Sequence, residues 1–299
     1  MDRVIAFVKL GRPLFLGGGF VLYALGAAVA AWSGHAIDWR RYALGQGAVT
    51  AFQLMTHYAN DYFDLEADRA NATPTRWSGG SRVLAGGALP PRVALIAALA
   101  FAALGTAVGT QLLDAAPTLA AILVFAWCYS APPLRLCARG LGELDTALVV
   151  TGLVPWLAFS LQGGGSTALL VAALVPLVLL QVAMLLAIEL PDAAGDAATG
   201  KRTLVVRFGA RTAVRLYIAL TAVAYLWLPI AWWLGVPPLA CACAALPAPF
   251  AAWRIARMAG DAADPAGYER LTFAAVALLV ATSAAMLIGF MNSTTAASS

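Results

Sequence analysis

Charged residues are scarce in this 299-residue sequence: Asp, Glu, Lys and Arg together make up 11% of it, against about 25% in an average soluble domain. Apolar residues make up 62%. A soluble chain of this size would need more polar surface to cover its core, so the composition excludes an ordinary soluble enzyme. The four Cys exclude a disulfide scaffold, and the 27 Gly follow no repeat, which excludes a collagen.

Long uncharged apolar stretches dominate what is present. Nine of them are each about long enough to cross a hydrocarbon core of roughly 30 Å. They cover residues 14–32, 42–60, 93–113, 115–129, 147–161, 167–188, 216–234, 238–253 and 272–291. The sequence therefore predicts an all-α integral membrane protein, a bundle of nine transmembrane helices in one domain over residues 1–299, with 291–299 as a disordered tail.

Basic residues fall almost entirely on one side of these nine predicted crossings. Of the 19 Lys and Arg residues, only Arg40 and Arg41 lie on the side opposite the N-terminus. Cytoplasmic loops of membrane proteins are enriched in Lys and Arg. We therefore predict a multi-pass protein of the cell (inner) membrane, with a cytoplasmic N-terminus and the C-terminus on the opposite side. This bias also explains the net charge of +4 without a nucleic-acid partner.

Two acidic clusters lie at the ends of the second and sixth apolar stretches. They share the spacing i, i+3, i+7, and the same separation of 128 residues relates each pair: Asp61, Asp64 and Asp68 match Glu189, Asp192 and Asp196. On a continuous helix this spacing places three carboxylates on one face. Because four crossings separate the clusters, both are predicted on the cytoplasmic side.

Carboxylates on one helix face repel each other unless a cation lies among them. Mg²⁺ prefers carboxylate oxygens and fills its remaining positions with water and substrate phosphates. Lys201 and Arg202 follow the second cluster directly, and a base there suits a diphosphate. Acids that are simply solvated, and bases that only anchor the membrane surface, are the alternative interpretations.

Three loop motifs on the predicted cytoplasmic side carry a resemblance to a known family. They are Asn60-Asp61-x-x-Asp64-x-x-x-Asp68, Asp192-x-x-x-Asp196 with Gly200-Lys201-Arg202-Thr203-Leu204, and Tyr129-Ser130-Ala131-Pro132-Pro133 with Arg139-Gly140-Leu141-Gly142-Glu143. Together they resemble the UbiA superfamily of membrane-embedded aromatic prenyltransferases. The resemblance implies a nine-helix bundle with a central cavity open towards the cytoplasm, which binds a Mg²⁺-complexed polyprenyl diphosphate and an aromatic acceptor among the membrane lipids.

Two further segments favour one branch of this superfamily. Ser78-Gly79-Gly80-Ser81-Arg82-Val83-Leu84 and Glu189-Leu190-Pro191-Asp192 look most like the 1,4-dihydroxy-2-naphthoate prenyltransferases of menaquinone synthesis. The family often has Asn at the head of its second motif, where this chain has Ile188 or Glu189. We therefore take Glu189 as the substitute ligand.

The resemblance assigns a role to each candidate residue. Six are catalytic: Asp61, Asp64, Asp68, Asp192, Asp196 and Tyr129. The same five aspartates, with Glu189, are metal ligands. Substrate is bound by Asn60, Lys201, Arg202, Arg12, Arg82 and Ser130. Membrane anchoring is the alternative for Arg12, a plain flexible loop for 78–82, and a buried hydrogen-bonded side chain rather than a base for His57.

The expected reaction is ionisation of an allylic C–O bond, followed by attack of an electron-rich aromatic ring on the carbocation. Aromatic side chains can shield such a cation by face-on contact, and Tyr58, Tyr62, Phe63, Trp127 and Tyr129 are the candidates. Other acceptors remain open, namely 4-hydroxybenzoate or another phenol or quinolone. A cation transporter is a different class, although no acid lies mid-span. A phosphatidyltransferase would need an Asp-Gly-x-x-Ala-Arg motif that this sequence lacks.

Overall fold

The structure, a computed structural model, describes residues 2–297, with side chains described through residue 294. This part of the chain contains helices and no β-strand. The helices are α1 (Arg3–Leu10), α2 (Pro13–Trp32), α3 (Trp39–Phe63), α4 (Leu65–Ala70), α5 (Pro91–Gly109), α6 (Ala116–Cys128), α7 (Gly142–Thr146), α8 (Val154–Leu161), α9 (Thr167–Glu189), α10 (Ala193–Ala198), α11 (Leu204–Phe208), α12 (Ala210–Leu226), α13 (Leu228–Trp233), α14 (Pro238–Ala245), α15 (Ala248–Ala263) and α16 (Tyr268–Ala297). A π-helical stretch, Ala147–Leu153, joins α7 to α8.

Seven helical stretches within residues 2–297 are long and apolar enough to cross a membrane. They are Arg3–Trp32, Pro91–Gly109, Gly142–Leu161, Thr167–Glu189, Ala210–Trp233, Pro238–Ala263 and Pro265–Thr294. The second and fourth predicted crossings coincide with α3, which is 25 residues long, and with the shorter apolar helix Leu113–Cys128. The all-helical, multi-pass architecture is confirmed, and the count of nine crossings stays a prediction.

The C-terminal segment differs from the predicted disordered tail. Helix α16 continues to Ala297, and the segment contains no Pro that would end it. Ser293 Oγ donates to the Gly289 carbonyl at 2.7 Å and Thr294 Oγ1 to the Phe290 carbonyl at 3.0 Å. Residues 298 and 299 of the predicted tail lie outside the described residues.

Helix α9 lies at the centre of the bundle. Of its most apolar 18 residues, 72% are buried, the largest share among the seven stretches. Pro176 lies inside it and cannot donate to the carbonyl of Ala172. The Trp227 Nε1–H donates to that carbonyl instead, at 3.0 Å. In lipid a freed backbone group needs such a partner, so this bond lets α9 continue through its proline.

Neither acidic triplet lies on one continuous helix. Helix α3 ends at Phe63 and α4 begins at Leu65, while α9 ends at Glu189 and α10 begins at Ala193. Pro191 lacks an N–H and interrupts the second helix. The Asp64 N–H still bonds the Asn60 carbonyl at 2.9 Å, so the first break is a local bend. Each triplet thereby turns around the end of a long helix.

Candidate active site

Two adjoining spaces occupy the interior of the bundle. The first, which we call the apolar cavity, has a volume of about 220 Å³ and lies among α2, α3, α9 and α16. The second, the polar chamber, has about 80 Å³ and lies at the ends of α3 and α9. The residues that line both are Arg12, Asn60, Tyr129, Leu185 and Ile188. The two spaces therefore meet at a shared wall.

Asp61 is almost fully buried and has partners on both of its oxygens. Arg12 Nη2 lies 2.9 Å from Asp61 Oδ1. The Ser81 N–H donates to both oxygens at 3.2 Å, and the Ser81 hydroxyl donates to Oδ2. Arg12 itself adopts a left-handed backbone conformation (φ 47°) directly before α2. This turn directs its guanidinium towards the end of α3 rather than towards the membrane surface.

Asp64 lies on the wall of the polar chamber with one oxygen to spare. Its Oδ2 accepts from Asn60 Nδ2 at 2.8 Å and from Lys201 Nζ at 3.1 Å. Asn60 also donates to the Ser130 hydroxyl at 2.9 Å, which places that predicted residue behind the first motif. Asp64 Oδ1 is buried without a hydrogen-bond partner among the described residues. An unpaired carboxylate oxygen is costly in the protein alone and suits a ligand.

Lys201 joins the two acidic clusters. Its Nζ lies 3.1 Å from Asp64 Oδ2 and 3.1 Å from Asp196 Oδ1, and its backbone N–H bonds the Asp196 carbonyl at 2.9 Å. The clusters that the sequence places 128 residues apart therefore line one chamber. Burial alone would lower the pKa of Lys201, but the nearby Asp64 and Asp196 carboxylates raise it well above its usual value. The ammonium stays charged between them.

Asp192 is held by two groups from the loop that follows α4. Asn71 Nδ2 donates to its Oδ1 at 2.6 Å, and the Gly79 N–H donates to its Oδ2 at 3.0 Å. The loop after α4 thus closes over the second cluster. The side chain of Asn71 is one of the residues that sequence reasoning missed, because a contact across 121 positions leaves no local pattern.

Asp68 faces the same loop. Gly80 has φ +70°, and a Cβ at that position would overlap Asp68 Oδ2, so only glycine lets the backbone approach the carboxylate. Arg82 also has positive φ, and its guanidinium donates to the backbone carbonyl of Asp68. Arg82 therefore braces the first motif and does not line the polar chamber.

The acids of the polar chamber have raised pKa values. Burial, followed by the charges of neighbouring carboxylates, raises the pKa of Asp68 to about 7, although Arg12 opposes the shift. Burial likewise raises the pKa of Asp192 to about 6, against the hydrogen bond from Gly79. Both shifts arise mainly because burial disfavours the charged form of a carboxyl group.

Five of the six predicted metal ligands line the chamber, and the sixth, Asp61, does not. The five are not gathered around one point. Within the described residues, no group of three or more His, Cys, Asp and Glu side chains is already arranged to hold a metal ion. Lys201 and Asn71 occupy carboxylate oxygens instead. Glu189 lines the chamber, and its Oε2 is buried without a partner among residues 2–294. Its role as a ligand stays a prediction.

Several other predicted residues lie where the structure gives them a different role. Arg202 is exposed, and its backbone rather than its side chain is engaged, the N–H bonding the Ala138 carbonyl at 2.9 Å. His57 Nδ1 lies 2.7 Å from the Gly11 carbonyl.

Tyr129 faces both interior spaces. The other aromatic candidates, Tyr58, Tyr62, Phe63 and Trp127, pack in a separate apolar cluster with α1 and α5.

Comparison with known proteins identifies the family. A model of the UbiA prenyltransferase family matches residues 20–274, and the chain belongs to this family. A relative from Mycobacterium tuberculosis, named 1,4-dihydroxy-2-naphthoate octaprenyltransferase, is 30% identical over 234 residues, which cover 75% of this chain and 77% of the relative. A relative of the same name from Bacillus subtilis is 24% identical over 224 residues, covering 73% and 71%. The predicted family and branch are confirmed, and the transporter and phosphatidyltransferase alternatives do not fit.

Solved structures agree on the fold. A UbiA homologue from Aeropyrum pernix matches with a TM-score of 0.66 and 20% identity, over 92% of this chain and 98% of that one. A UbiA homologue from Archaeoglobus fulgidus bound to GPP and Mg²⁺ matches with a TM-score of 0.62 and 17% identity, over 95% and 99%. A digeranylgeranylglyceryl phosphate synthase matches with a TM-score of 0.65 and 17% identity, over 98% and 100%.

Proposed function

We propose that this prenyltransferase moves a polyprenyl group from an isoprenoid diphosphate to 1,4-dihydroxy-2-naphthoate, in menaquinone biosynthesis, with Mg²⁺ as cofactor. The observation that carries the proposal is the pairing of a charged chamber with an apolar cavity across a shared wall. A substrate with an anionic head and an apolar tail matches both spaces at once. The name shared by two relatives supports the acceptor.

The residues present fit Mg²⁺. The donors around the polar chamber are carboxylate oxygens, which this hard cation prefers, and Asp64 Oδ1 is buried without a partner in the described part of the chain. Asp64, Asp68, Asp192 and Asp196 line the chamber and would hold the metal. Asp61, whose oxygens are taken by Arg12 and Ser81, would instead fix the position of Arg12. When bound, Mg²⁺ would neutralise diphosphate oxygens and so favour departure of the leaving group.

The chain's own cations complete the binding of the diphosphate. Lys201 stays protonated between Asp64 and Asp196 and can donate to diphosphate oxygens as negative charge develops on them. Arg12 lies on the wall that the two spaces share, so its guanidinium is available where head and tail meet. The Ser130 hydroxyl positions Asn60, which in turn orients Asp64.

Tyr129 lies at the boundary where the allylic C–O bond of such a substrate would lie. Its ring lines both the polar chamber and the apolar cavity. As the C–O electron pair leaves with the diphosphate, positive charge develops on the allylic carbon, and an aromatic ring attracts a nearby cation. The apolar walls exclude water, so the aromatic acceptor rather than water forms the new bond.

The membrane topology is part of the proposal. We infer nine crossings, with α3 and the short helix Leu113–Cys128 added to the seven apolar stretches, and a cytoplasmic N-terminus from the position of the basic residues. The polar chamber then opens on the cytoplasmic side of the cell membrane. Labelling of single cysteines introduced at Arg40 and at Arg202 tests this topology, since the two positions are expected on opposite faces.

The test of the function is turnover by purified protein in detergent. Geranyl diphosphate and Mg²⁺ are supplied with 1,4-dihydroxy-2-naphthoate, with 4-hydroxybenzoate or with a quinolone, and diphosphate release and prenylated product are measured. Product with the naphthoate, lost on chelation of Mg²⁺, is the expected result. Product with another acceptor alone would contradict the acceptor and keep the class. Product that is insensitive to chelation would contradict the metal.

A further inference from the structure

One buried carboxylate in the apolar cavity has no role in binding the diphosphate. Asp145 lies on α7, is 6% exposed and lines the apolar cavity, not the polar chamber. Among residues 2–294, its Oδ1 has no hydrogen-bond partner, and no Lys, Arg or His forms a salt bridge with it. An unpaired buried carboxylate is costly to the folded protein, so its presence calls for a ligand.

The helix geometry directs Asp145 into the cavity. Residues of one segment that line the cavity are Asp145, Thr146, Val149, Val150 and Val154. On a regular α-helix, residues nine positions apart, such as Asp145 and Val154, face opposite sides. The π-helical stretch Ala147–Leu153 underwinds the segment and brings both to the cavity. Such π-helical turns occur frequently at functional sites.

The other polar side chains of the cavity are largely occupied by the protein. Gln53 Nε2 donates to the Phe15 carbonyl at 3.0 Å, His57 Nδ1 contacts the Gly11 carbonyl at 2.7 Å, and Ser283 Oγ donates to its own helix at 2.8 Å. Asp145 differs because its carboxylate can only accept hydrogen bonds when ionised. A prenyl tail offers no donor, so the carboxylate must face a different ligand.

Asp145 is also close to the reacting centre. The start of α7 packs against Tyr129, where a Cβ added at Gly142 would lie 3.2 Å from Tyr129 Cε2. Tyr129 lines the boundary between the two spaces, and Asn60 and Arg12 line it as well. Asp145 follows Gly142 by three residues, about one helical turn, so we expect a ligand that contacts Asp145 to lie near the Tyr129 boundary, where the acceptor ring would be.

We propose that Asp145 binds a ring hydroxyl of the aromatic acceptor and takes its proton as the ring attacks. This inference rests on the proposed function. The hydroxyl O–H bond breaks, its proton passes to the Asp145 carboxylate, and its electron pair conjugates into the ring. The ring carbon bonds to the allylic carbon as the C–O pair leaves with the diphosphate. The substituent of that ring carbon then departs without its bonding pair, either a carboxylate as CO₂ or a proton that passes to the released diphosphate, and Asp145 returns its proton to the oxygen.

The experiment compares wild type with Asp145→Asn, using geranyl diphosphate, Mg²⁺ and three acceptors: 1,4-dihydroxy-2-naphthoate and its two monomethyl ethers. On the diol, D145N is expected to lower kcat/KM for the acceptor by about 10²–10⁴-fold, the usual contribution of a positioned base, with the KM for geranyl diphosphate unchanged. On the ether in which the contacted hydroxyl is methylated, wild type is expected to lose activity. D145N is then expected to be no slower on this ether than wild type is.

Two controls separate this role from a structural one. Because D145N removes an unpaired buried charge, its Tm in detergent is expected to equal or exceed that of wild type. Asp114→Asn, an exposed acid paired with Arg41 at the far end of the neighbouring helix, is expected to leave turnover unchanged. A lowered Tm for D145N with turnover per folded molecule intact would assign Asp145 to the fold and overturn the proposal.

The remaining outcomes are equally decisive. If D145N slowed the diol and both ethers by the same factor, Asp145 would act on something other than the hydroxyl, and the proposal would be wrong. If D145N turned over the diol like wild type, the proposal would also be wrong, while the proposed function would stand. If wild type prenylated none of the phenolic acceptors, the proposed function and this inference would fall together.

Discussion

Two groups of charged residues in this molecule differ in how completely their buried carboxylates are paired. On α15 and α16, Arg254 Nη1 lies 2.7 Å from Asp261 Oδ2, and Arg270 Nη2 lies 3.1 Å from Asp261 Oδ1. Both oxygens of that carboxylate are occupied. In the polar chamber, Asp64 keeps one buried oxygen without a partner among the described residues. The difference separates ion pairs that hold helices together from acids that await a ligand.

The largest loss of turnover is expected when one carboxylate charge is removed from the polar chamber. Asp64→Asn keeps the shape of the side chain but removes its charge, and we expect turnover of geranyl diphosphate with 1,4-dihydroxy-2-naphthoate to fall by about 10³-fold, as when a preorganised electrostatic group is removed. The Tm of the metal-free protein is expected to change little, since Lys201 keeps Asp196 as a partner. Asp114→Asn is the matched control. Near-normal turnover of D64N would contradict a metal role for Asp64.

A loss of stability without a loss of turnover is expected when the ion pairs of Asp261 with Arg254 and Arg270 are broken. Asp261→Asn leaves Arg254, which is fully buried, without its charge partner, and removal of one partner from a buried ion pair costs about 3–5 kcal/mol. D261N should therefore unfold at a much lower concentration of denaturing detergent than wild type, while its turnover per folded molecule stays normal.

Arg270→Gln provides the matched control for that network. The Arg270 side chain is 64% exposed, and exposed pairs contribute about 0–1 kcal/mol. R270Q should therefore unfold nearly like wild type. If D261N lost activity in its folded state, the two groups of charges would not be as separate as their pairing indicates.

A smaller effect follows from the raised pKa values of Asp68, about 7, and Asp192, about 6, above an ordinary value of 3.8. Between pH 3.8 and these raised values of about 6 and 7, the folded metal-free protein binds more protons than the unfolded chain. Its free energy of unfolding therefore falls as pH rises through that window. Mg²⁺ needs ionised ligands and should reverse the trend. We expect Mg²⁺ to raise the Tm in detergent more at about pH 8 than at about pH 5.

The double variant Asp68→Asn, Asp192→Asn tests the source of that pH dependence. With neither carboxyl left to titrate, the Mg²⁺-dependent rise in Tm should be small at both pH values. A rise that kept its full size and slope in the double variant would mean that other groups bind the metal and supply the titration. D261N, which lies outside the chamber, should keep the wild-type pH dependence.

Much of the site could be predicted because its chemistry is local in sequence. The repeated i, i+3, i+7 acids and the base that follows them mark the polar chamber, and the structure brings them together through Lys201. What could not be predicted depends on long-range contacts. Asn71 meets Asp192 across 121 positions, and a π-helical stretch that no periodicity indicates lets Asp145 and Val154 line the same cavity.

The fold, like the site, was predicted where the sequence signal is strong and local, and not elsewhere. Apolar length predicted the all-helical membrane architecture, because burying twenty or so apolar residues in lipid constrains a chain strongly. It did not predict the bend after Phe63, nor the helical C-terminal segment to Ala297. The break after Glu189 is different, because Pro191 indicates it directly in the sequence.

The smallest expected effect distinguishes two neighbouring bases. Sequence adjacency assigned Lys201 and Arg202 to the same diphosphate, but the Lys201 ammonium lies in the chamber while the Arg202 side chain is exposed. Charges that are exposed and separated by about 10 Å are largely screened at physiological salt. Arg202→Gln should therefore change the KM for geranyl diphosphate by no more than about threefold, an effect that salt removes. Lys201→Gln is the contrasting variant, and comparable losses in both would mean that Arg202 turns inward when the diphosphate binds.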